Sequence, residues 1–202
     1  KAIKAKLVEV HGEKPILRCE SDVQALILEF DDVCEVVSYK RGQRLRQPNA
    51  PFTTSTLQQE ASRKLGFTGR KTMLLAQQLY EGIELGKEGP IGLITYIRTD
   101  STMISDAAFA MAQEYLRNQL GQDYGIEQKR LFAGKKGAQE AHEAIRPTEI
   151  SRKPDELKDY LNRDQYKLYR IIWERFLASQ AAAAVYDYVT ADLKNNEAIF
   201  RL

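Results

Sequence analysis

The sequence predicts an α+β protein, mainly helical, in which a helical domain is inserted into a β-rich one. Apolar and polar residues alternate near both ends of the chain, as in strands, whereas the apolar residues between those ends recur at helical spacing. A basic segment punctuated by prolines separates the first strand-rich stretch from the helical one. These observations predict a β-rich domain made of residues 1–50 and 182–202 and a helical domain at residues 51–181.

The first fifty residues are predicted to form strands around one helix. Residues 1–10 alternate like an exposed strand, and a second short strand is expected at residues 16–19. Ser21 is suited to cap the helix that follows, and residues 33–39 are β-rich. Residues 40–51 combine four basic residues with two prolines, which predicts a connector and a domain boundary.

The middle of the chain is predicted to be helical around one short strand. Helices are expected at residues 56–65 and 72–85, ended by Gly66 and Gly86. A short buried strand is expected at residues 93–97, followed by a helix at 106–120 with Ser105 as its N-cap and by a polar loop at 121–139. A helix at 138–145 is expected to be ended by Pro147, and a long helix is expected to follow an N-cap at Asn162 or Asp164. Strands are expected at 186–193 and 199–202.

The composition excludes several classes of protein. A formal charge of +2 is too small to indicate a polyanion partner, so any nucleic-acid surface must be local. Cys19 and Cys34 are far apart in the sequence, which indicates neither a zinc site nor a disulfide framework. No apolar run is long enough to span a membrane, and we expect a cytoplasmic protein with reduced thiols.

The segment GLITYIRTDS at residues 92–101 carries a tyrosine that could act on a phosphodiester. On a strand, Tyr96 and Arg98 would point to the same face, with Ile94 beside them. A tyrosine with a pKa of about 10 is a poor nucleophile near neutral pH unless a cation stabilises its phenolate, and an arginine can also bind phosphate oxygens. The alternative is an ordinary half-buried strand tyrosine beside a surface arginine, which the spacing alone favours.

The segment EAHEAIRPT at residues 140–148 contains a second basic pair. A helical reading places His142 and Arg146 one turn apart on a common face, where they could bind phosphate. The alternative is a solvent-exposed histidine with Arg146 in a surface ion pair to Glu143 or Glu149. Both interpretations fit the sequence.

The segment PFTTSTLQQEA at residues 51–61 places four hydroxyl side chains, residues 53–56, before a helix that is expected to start at Leu57. Hydroxyl groups and backbone N–H groups at a helix N-terminus can bind an anion, and glutamine side chains can reach bases or sugars. The alternative is a simple capping arrangement with Ser55 or Thr56 as the N-cap. Capping and phosphate contact can coexist.

Taken together, in this order and spacing, the three segments resemble the type IA DNA topoisomerases, most closely the bacterial topoisomerase I branch. The resemblance covers nearly the whole chain and includes TMLLAQQLYEG at residues 72–82 and LYRIIWERFLASQ at residues 168–180. One departure is Ile97, where the family usually has methionine, and this change conserves volume. The resemblance implies a helical, winged-helix-like domain inserted into a β-rich arch.

The resemblance also implies roles for particular residues. Tyr96 would attack one DNA strand and form a 5′-phosphotyrosine link, Arg98 would position and stabilise the scissile phosphate, and His142 would assist there. Strand passage and religation would then relax negative supercoils without ATP. The residues implied to contact single-stranded DNA are Thr54, Ser55, Gln58, Gln59 and Arg146.

The family's Mg²⁺ is bound by an acidic cluster that the resemblance places before this region, and the sequence contains no Asp-x-Asp motif. The chain is therefore expected to be a central fragment without a metal site, inactive alone, whose partners are single-stranded DNA and the missing domains of the same protein. Its expected location is the nucleoid. Two other interpretations stay open: a module that only binds single-stranded DNA through basic patches such as residues 40–46, and the same module within a reverse gyrase.

Overall fold

A computed structural model describes residues 3–132 and 142–202 of the chain. The predicted α+β class is confirmed, with helices and antiparallel sheets. The chain divides into two compact units, the first formed by residues up to Arg46 together with Ala184–Leu202, and the second by Gln47–Ala183. No helix in the described part of the chain combines the length and the apolar character needed to cross a lipid bilayer.

The first unit is a four-stranded antiparallel sheet with one helix. Along the chain its elements are β1 (Lys6–Val10), α1 (Glu20–Ile27), β2 (Glu35–Arg46), β5 (Ala184–Asn195) and β6 (Ala198–Arg201). The strands lie in the order β1-β6-β5-β2, so the last two strands join the first two in one sheet. The buried side chain of Asn195 accepts from the backbone N–H of Asp31 at 2.9 Å and donates to the Asp31 carbonyl at 2.8 Å, which holds the loop before β2 against β5.

Three expectations for the first unit were wrong. The N-cap of α1 is Cys19 and not Ser21, which lies inside the helix. Residues 16–19 form no strand, and the segment 40–46 is not a connector but the second half of β2. This half pairs with β5 without interruption from Tyr39 to Arg46. The partner strand lies some 140 residues away in the sequence, so a local reading of basic residues could not reveal the pairing.

The second unit packs helices around the long C-terminal helix α5. Its elements are α2 (Thr54–Leu65), α3 (Gly69–Glu81), the short hairpin strands β3 (Ile83–Glu84) and β4 (Pro90–Ile91), α4 (Asp106–Gln119) and α5 (Arg163–Gln180). One apolar cluster lies between α2, α3 and α5 and includes Phe52, Leu57 and Tyr169. A second cluster packs α4 against Phe176, and Trp173 contacts both clusters.

Some helix ends in the second unit lie where the sequence predicts them, whereas the first residue of α2 and both ends of α3 do not. Ser105 caps α4 by accepting from the N–H of Ala108 at 3.2 Å, and Asn162 caps α5, both as predicted. Gly66 ends α2 as predicted. Helix α3 ends at Gly82 rather than Gly86, because the residues that follow pair as the β3–β4 hairpin.

Candidate active site

The three sequence segments, which lie up to about ninety residues apart, meet side by side in the second unit. The backbone N–H of Ile145 donates to the Phe52 carbonyl at 2.8 Å, which joins the first segment to the third. The N–H of Thr95 donates to the Arg146 carbonyl at 2.9 Å, which joins the second segment to the third. The tyrosine segment therefore lies against a frame made by the other two.

The tyrosine segment is not the regular strand that was predicted. Within residues 93–97 only Ile94 forms a β-bridge, to Pro147, and its side chain is buried instead of sharing the face of Tyr96. From Tyr96 onward the side chains alternate, so that Tyr96 and Arg98 are exposed and Ile97 is buried. The segment is irregular because its backbone hydrogen bonds go to two partners, first to the third segment and then to the start of α2.

Gly92 begins this segment at a close approach of two backbones. A Cβ atom at this position would lie 2.6 Å from the Tyr80 carbonyl oxygen, a distance that no side chain can occupy. The next residue, Leu93, donates its N–H to the Leu79 carbonyl at 2.7 Å. The end of α3 and the tyrosine segment are thus held together by backbone contacts that need a glycine.

The Tyr96 ring contacts two other rings. The Tyr80 ring stands edge-on to it, with 5.6 Å between centroids, and the His142 ring lies 5.4 Å away at 43°. Contacts of this kind stabilise a ring position by about 0.5–1.5 kcal/mol each. Since 39% of Tyr96 remains exposed, the ring is oriented but open to a ligand. Tyr80 was missed as a site residue, although it lies in the stretch 72–82 that supports the resemblance.

Arg98 follows Tyr96 on the exposed side of the segment. Within residues 3–132 and 142–202 no ion pair involves Arg98, whereas Thr99 beyond it is buried and bound to α2. A guanidinium in this position can bind an anionic oxygen without first losing a carboxylate partner.

The third segment is not a helix over its described residues. Residues 142–148 are extended, with bridges at Ile145 and Pro147, and residues 138–141 of the predicted helix lie outside the described part of the chain. His142 and Arg146 therefore do not share a helix face: His142 is exposed beside Tyr96, and Arg146 is only 9% exposed. The reason is the pairing with Phe52 and Ile94, which takes the backbone groups that a helix would use.

Arg146 is bound inside the protein. Its guanidinium donates to Glu143 at 2.6 Å and to the Pro147 carbonyl at 2.9 Å, so the ion pair to Glu143 is present but is largely buried. Burial favours a higher pKa for Glu143, but hydrogen bonds from Ser105 and Arg146 outweigh it and lower the pKa. The ionised carboxylate thereby fixes the third segment to the N-terminus of α4, an end that favours negative charge.

The first segment begins its helix earlier than predicted. Thr53, and not Ser55 or Thr56, is the N-cap, and it forms a reciprocal capping box with Thr56. Ser55 and Gln59 are exposed and Gln58 is partly exposed. These three side chains can reach a ligand, whereas the hydroxyl of Thr54 is used within the protein.

Thr54 attaches the start of α2 to the tyrosine segment. Its hydroxyl donates to the Ile97 carbonyl at 2.7 Å and accepts from the N–H of Thr99 at 3.0 Å. These contacts bracket Arg98 and hold the backbone on which Tyr96 lies. Thr95 acts similarly towards the third segment, since its hydroxyl donates to the Ala144 carbonyl at 2.7 Å and accepts from the N–H of Arg146 at 3.0 Å.

Replacing Thr54 with valine is expected to lower the free energy of unfolding of the second unit by about 1–3 kcal/mol, because the Thr99 N–H and Ile97 carbonyl lose their partner. Urea unfolding followed by the fluorescence of Trp173, the chain's one tryptophan, measures this change. Thr54→Ser keeps the hydroxyl and serves as the control. A valine variant as stable as the serine variant would contradict the assignment.

Glu60 links α2, on which the first segment lies, to α5. It is 8% exposed and its carboxylate contacts Arg63 at 2.7 Å, Lys64 at 2.9 Å and Arg175 at 3.3 Å. Burial favours a higher pKa, but the hydrogen bonds and charges of Lys64 and Arg63 outweigh it, so the pKa of Glu60 is below its usual value of 4.5. Arg175 in turn lies over the Phe52 ring, 4.4 Å from its centroid.

Replacing Glu60 with glutamine is expected to lower the free energy of unfolding by about 1.5–3 kcal/mol near neutral pH, because buried charged hydrogen bonds are lost. Since the pKa of Glu60 is lower in the folded protein, its contribution is complete above about pH 4.5 and disappears as the pH falls through the folded pKa. Urea titrations on both sides of that pH measure the difference.

The control for this prediction is Glu174→Gln, which breaks the exposed pair of Glu174 and Arg170. An exposed ion pair contributes little to stability, so this variant is expected to unfold like the wild type. A difference between wild type and Glu60→Gln that is the same at acidic and neutral pH would contradict the role of the ionised carboxylate.

The described residues contain no group of three or more histidine, cysteine, aspartate or glutamate side chains arranged to hold a metal ion. Two acidic groups near the site are paired, Glu143 with Arg146 and Glu60 with Arg175. The residues present therefore do not fit the Mg²⁺ site that the resemblance implies for the whole enzyme.

Two comparisons with known proteins bear on this site. A family model described as DNA topoisomerase matches residues 3–202. The solved structure of full-length topoisomerase I from Thermotoga maritima is 40% identical in sequence and superposes with a TM-score of 0.78. That match covers 98% of this chain and 31% of the other chain, so this chain spans less than a third of that protein's length. The chain belongs to the type IA DNA topoisomerases, in the bacterial topoisomerase I branch, as its three sequence segments predict.

Proposed function

We propose that this chain is the strand-cleaving part of a DNA topoisomerase, in which Tyr96 attacks one DNA strand and forms a transient link to its 5′-phosphate. One observation carries the proposal: Tyr96 is exposed and contacts the rings of Tyr80 and His142, on a segment bonded to both other sequence segments. A tyrosine with only a structural role would not need such an open position beside a histidine and an exposed arginine.

The proposed reaction exchanges one phosphoester for another. The phenolic oxygen of Tyr96 gives up its proton and forms a bond to phosphorus, and the bond from phosphorus to the 3′ oxygen breaks. That oxygen leaves as a 3′-hydroxyl after taking up a proton, and it later reverses the attack. Because the phosphotyrosine retains the bond energy, the cycle needs no ATP and relaxes negative supercoils after a strand has passed through the gap.

The neighbouring residues have separate roles in this proposal. Arg98 binds a non-bridging oxygen and offsets the negative charge that builds up on the phosphate during transfer. His142, whose ring contacts that of Tyr96, assists at the same phosphate. Both groups touch the reacting atoms, whereas Tyr80 orients the Tyr96 ring.

The first turns of α2 are proposed to hold the single strand that enters the site. Ser55 and Gln59 are exposed there and Gln58 is partly exposed, and the N-terminus of a helix favours phosphate. Thr54 uses both its hydroxyl and its backbone N–H on the tyrosine segment, so its proposed role in DNA binding is to hold the start of α2 in place. Arg146 is buried and paired with Glu143, so its proposed contribution to DNA binding is to hold the third segment in place.

In the whole enzyme the second unit corresponds to the winged-helix-like tyrosine domain, and the first unit corresponds to parts of the β-rich arch. Mg²⁺ is proposed to be held by another domain, since the residues described here form no ligand set. The proposed partners are single-stranded DNA and the other domains of the enzyme, and the proposed location is the nucleoid.

The chain alone is expected not to relax negatively supercoiled plasmid in the presence of Mg²⁺. The physical reason is that the proposed active site needs residues of more than one domain. Strand passage is also proposed to need domains that enclose the passing strand. Agarose gel electrophoresis of the plasmid after incubation measures relaxation, and a complete bacterial topoisomerase I serves as the positive control. Relaxation by the chain at an enzyme-like concentration would overturn this part of the proposal.

A further inference from the structure

The first unit presents a two-stranded ribbon whose two faces differ in chemistry. Along β2 and β5, the residues that pair directly are Lys40 with Thr190, Gly42 with Tyr188, Arg44 with Tyr186 and Arg46 with Ala184. Residues that pair directly across antiparallel strands project from the same face. We name this surface the basic ribbon face, and it consists of Lys40, Arg44, Arg46, Tyr186 and Tyr188.

The two tyrosines of the basic ribbon face are open to solvent. Tyr186 is 50% exposed and Tyr188 is 47% exposed, and they lie about 7 Å apart along one strand, two residues from each other. A Cβ atom at Gly42 would lie 2.7 Å from the Tyr188 hydroxyl oxygen and 2.8 Å from the ring. The absence of a side chain at Gly42 therefore lets the Tyr188 ring lie across the ribbon.

The charge on this face is positive and unopposed by the nearest carboxylate. Lys40, Arg44 and Arg46 are all exposed. Asp192 lies on the same face near its end, but its carboxylate accepts from Arg201 at 2.6 and 3.0 Å. Its pKa is lowered mainly by that hydrogen bond, so its charge is neutralised by a residue of β6.

The opposite face of the ribbon carries similar residue types that are already engaged with one another. Arg41 lies over the Tyr39 ring, 5.3 Å from its centroid, and donates to the Tyr39 hydroxyl. Asp187 accepts from Gln43 at 3.1 Å. The rest of this face is aliphatic, with Leu45 and Val185 paired across the strands. The two faces therefore carry similar residue types. On the basic ribbon face the cations and rings are free to contact a ligand, whereas on the opposite face they contact one another.

We propose that the basic ribbon face binds single-stranded DNA, with bases stacked on Tyr186 and Tyr188 and phosphates held by Lys40, Arg44 and Arg46. Exposed aromatic rings beside cations are the combination by which proteins bind single strands without regard to sequence. Paired bases in a duplex are closed to such stacking, so a single strand is the ligand that uses both features. This site goes beyond the cleavage function, because it lies in the other unit and needs no reaction at Tyr96.

The proposal is tested by fluorescence anisotropy of a labelled oligothymidylate with the 202-residue chain carrying Tyr96→Phe, so that cleavage does not contribute. Replacing Tyr186 and Tyr188 together with leucine is expected to weaken binding roughly tenfold or more. Replacing Arg44 and Arg46 with glutamine is expected to weaken binding and to reduce the slope of log affinity against log salt by about 1.4, or about 0.7 per lost phosphate contact.

The matched controls are Tyr39→Leu and Arg41→Gln on the opposite face, which change the same residue types on the same two-stranded ribbon. They are expected to change the affinity less than about twofold if the basic ribbon face carries the contact. Circular dichroism confirms that each variant keeps its sheet. Equal losses from both faces, or no loss from the tyrosine pair, would overturn the proposal, as would equal affinity for duplex and single strand.

A second readout locates the contact directly. Photocross-linking of the same protein to an oligonucleotide that contains 5-iodouracil, followed by peptide mass spectrometry, is expected to identify adducts at Tyr186 or Tyr188. Adducts confined to residues 47–183 would show that DNA binds only to the second unit and would overturn the proposal. Failure of covalent cleavage at Tyr96 would leave both readouts unchanged, so the two proposals fail separately.

Discussion

Replacing Tyr96 with phenylalanine is expected to abolish covalent capture of DNA, with a loss of at least about 10³-fold in adduct yield. The phenolic oxygen is the atom that bonds to phosphorus in the proposed reaction, and phenylalanine lacks it. The ring remains, so its contacts with Tyr80 and His142 are kept and the fold is expected to be unchanged. The measurement is the yield of protein bonded to a labelled oligonucleotide after denaturation, in protein that joins this chain to the domain proposed to hold Mg²⁺.

The control for this variant is Tyr124→Phe, which removes the hydroxyl of an exposed tyrosine outside the three segments. It is expected to form adducts at the wild-type yield. The urea midpoint of the Tyr96→Phe protein, read from Trp173 fluorescence, should match that of the wild type, which separates chemistry from stability. Adduct formation by Tyr96→Phe at the wild-type yield would contradict the assignment of the nucleophile.

Replacing Phe52 with alanine is expected to lower the free energy of unfolding of the second unit by about 3–5 kcal/mol. Phe52 is 1% exposed, its ring contacts the Arg175 guanidinium, and its backbone pairs with Ile145 of the third segment. Truncation leaves a cavity in the main apolar cluster and removes the cation–π contact. The loss is large because one side chain supports both the core and the frame of the site.

Urea unfolding followed by Trp173 fluorescence measures this loss, since Trp173 lies in the second unit. Leu74→Ala is the control, because Leu74 is 60% exposed on α3 and its truncation is expected to cost less than about 1 kcal/mol. Similar losses from the two variants would show that Phe52 does not have the central position described.

The sequence predicted the elements that local chemistry determines. Helix α4 begins behind Ser105, α5 behind Asn162, and α2 ends at Gly66, because caps and left-handed glycines act over one helical turn. The prediction for the second half of β2 was wrong, because its strand character comes from pairing with β5 at the far end of the chain. The prediction of a helix in the third segment was wrong for the same reason, since Ile145 and Pro147 pair with Phe52 and Ile94.

For the site, the order and spacing of the three segments predicted the family, which the comparisons confirm. The sequence could not predict that the hydroxyls of Thr54 and Thr95 form hydrogen bonds that hold the tyrosine segment, or that Arg146 is buried against Glu143. A threonine whose hydroxyl binds the backbone and one whose hydroxyl binds DNA look the same in a sequence. Only the partner within hydrogen-bond distance distinguishes them.

In the proposed reaction Tyr96 bonds to the 5′-phosphate of a cleaved strand. The most direct measurement identifies both the residue and the DNA fragment that this bond joins. An oligonucleotide labelled at its 5′ end or its 3′ end is trapped by denaturation with the joined protein, and the adduct is digested and mapped by mass spectrometry. We expect that the protein retains the 3′-labelled fragment and that the modified peptide carries the nucleotide on Tyr96. Retention of the 5′-labelled fragment, or modification of any other residue, would contradict it.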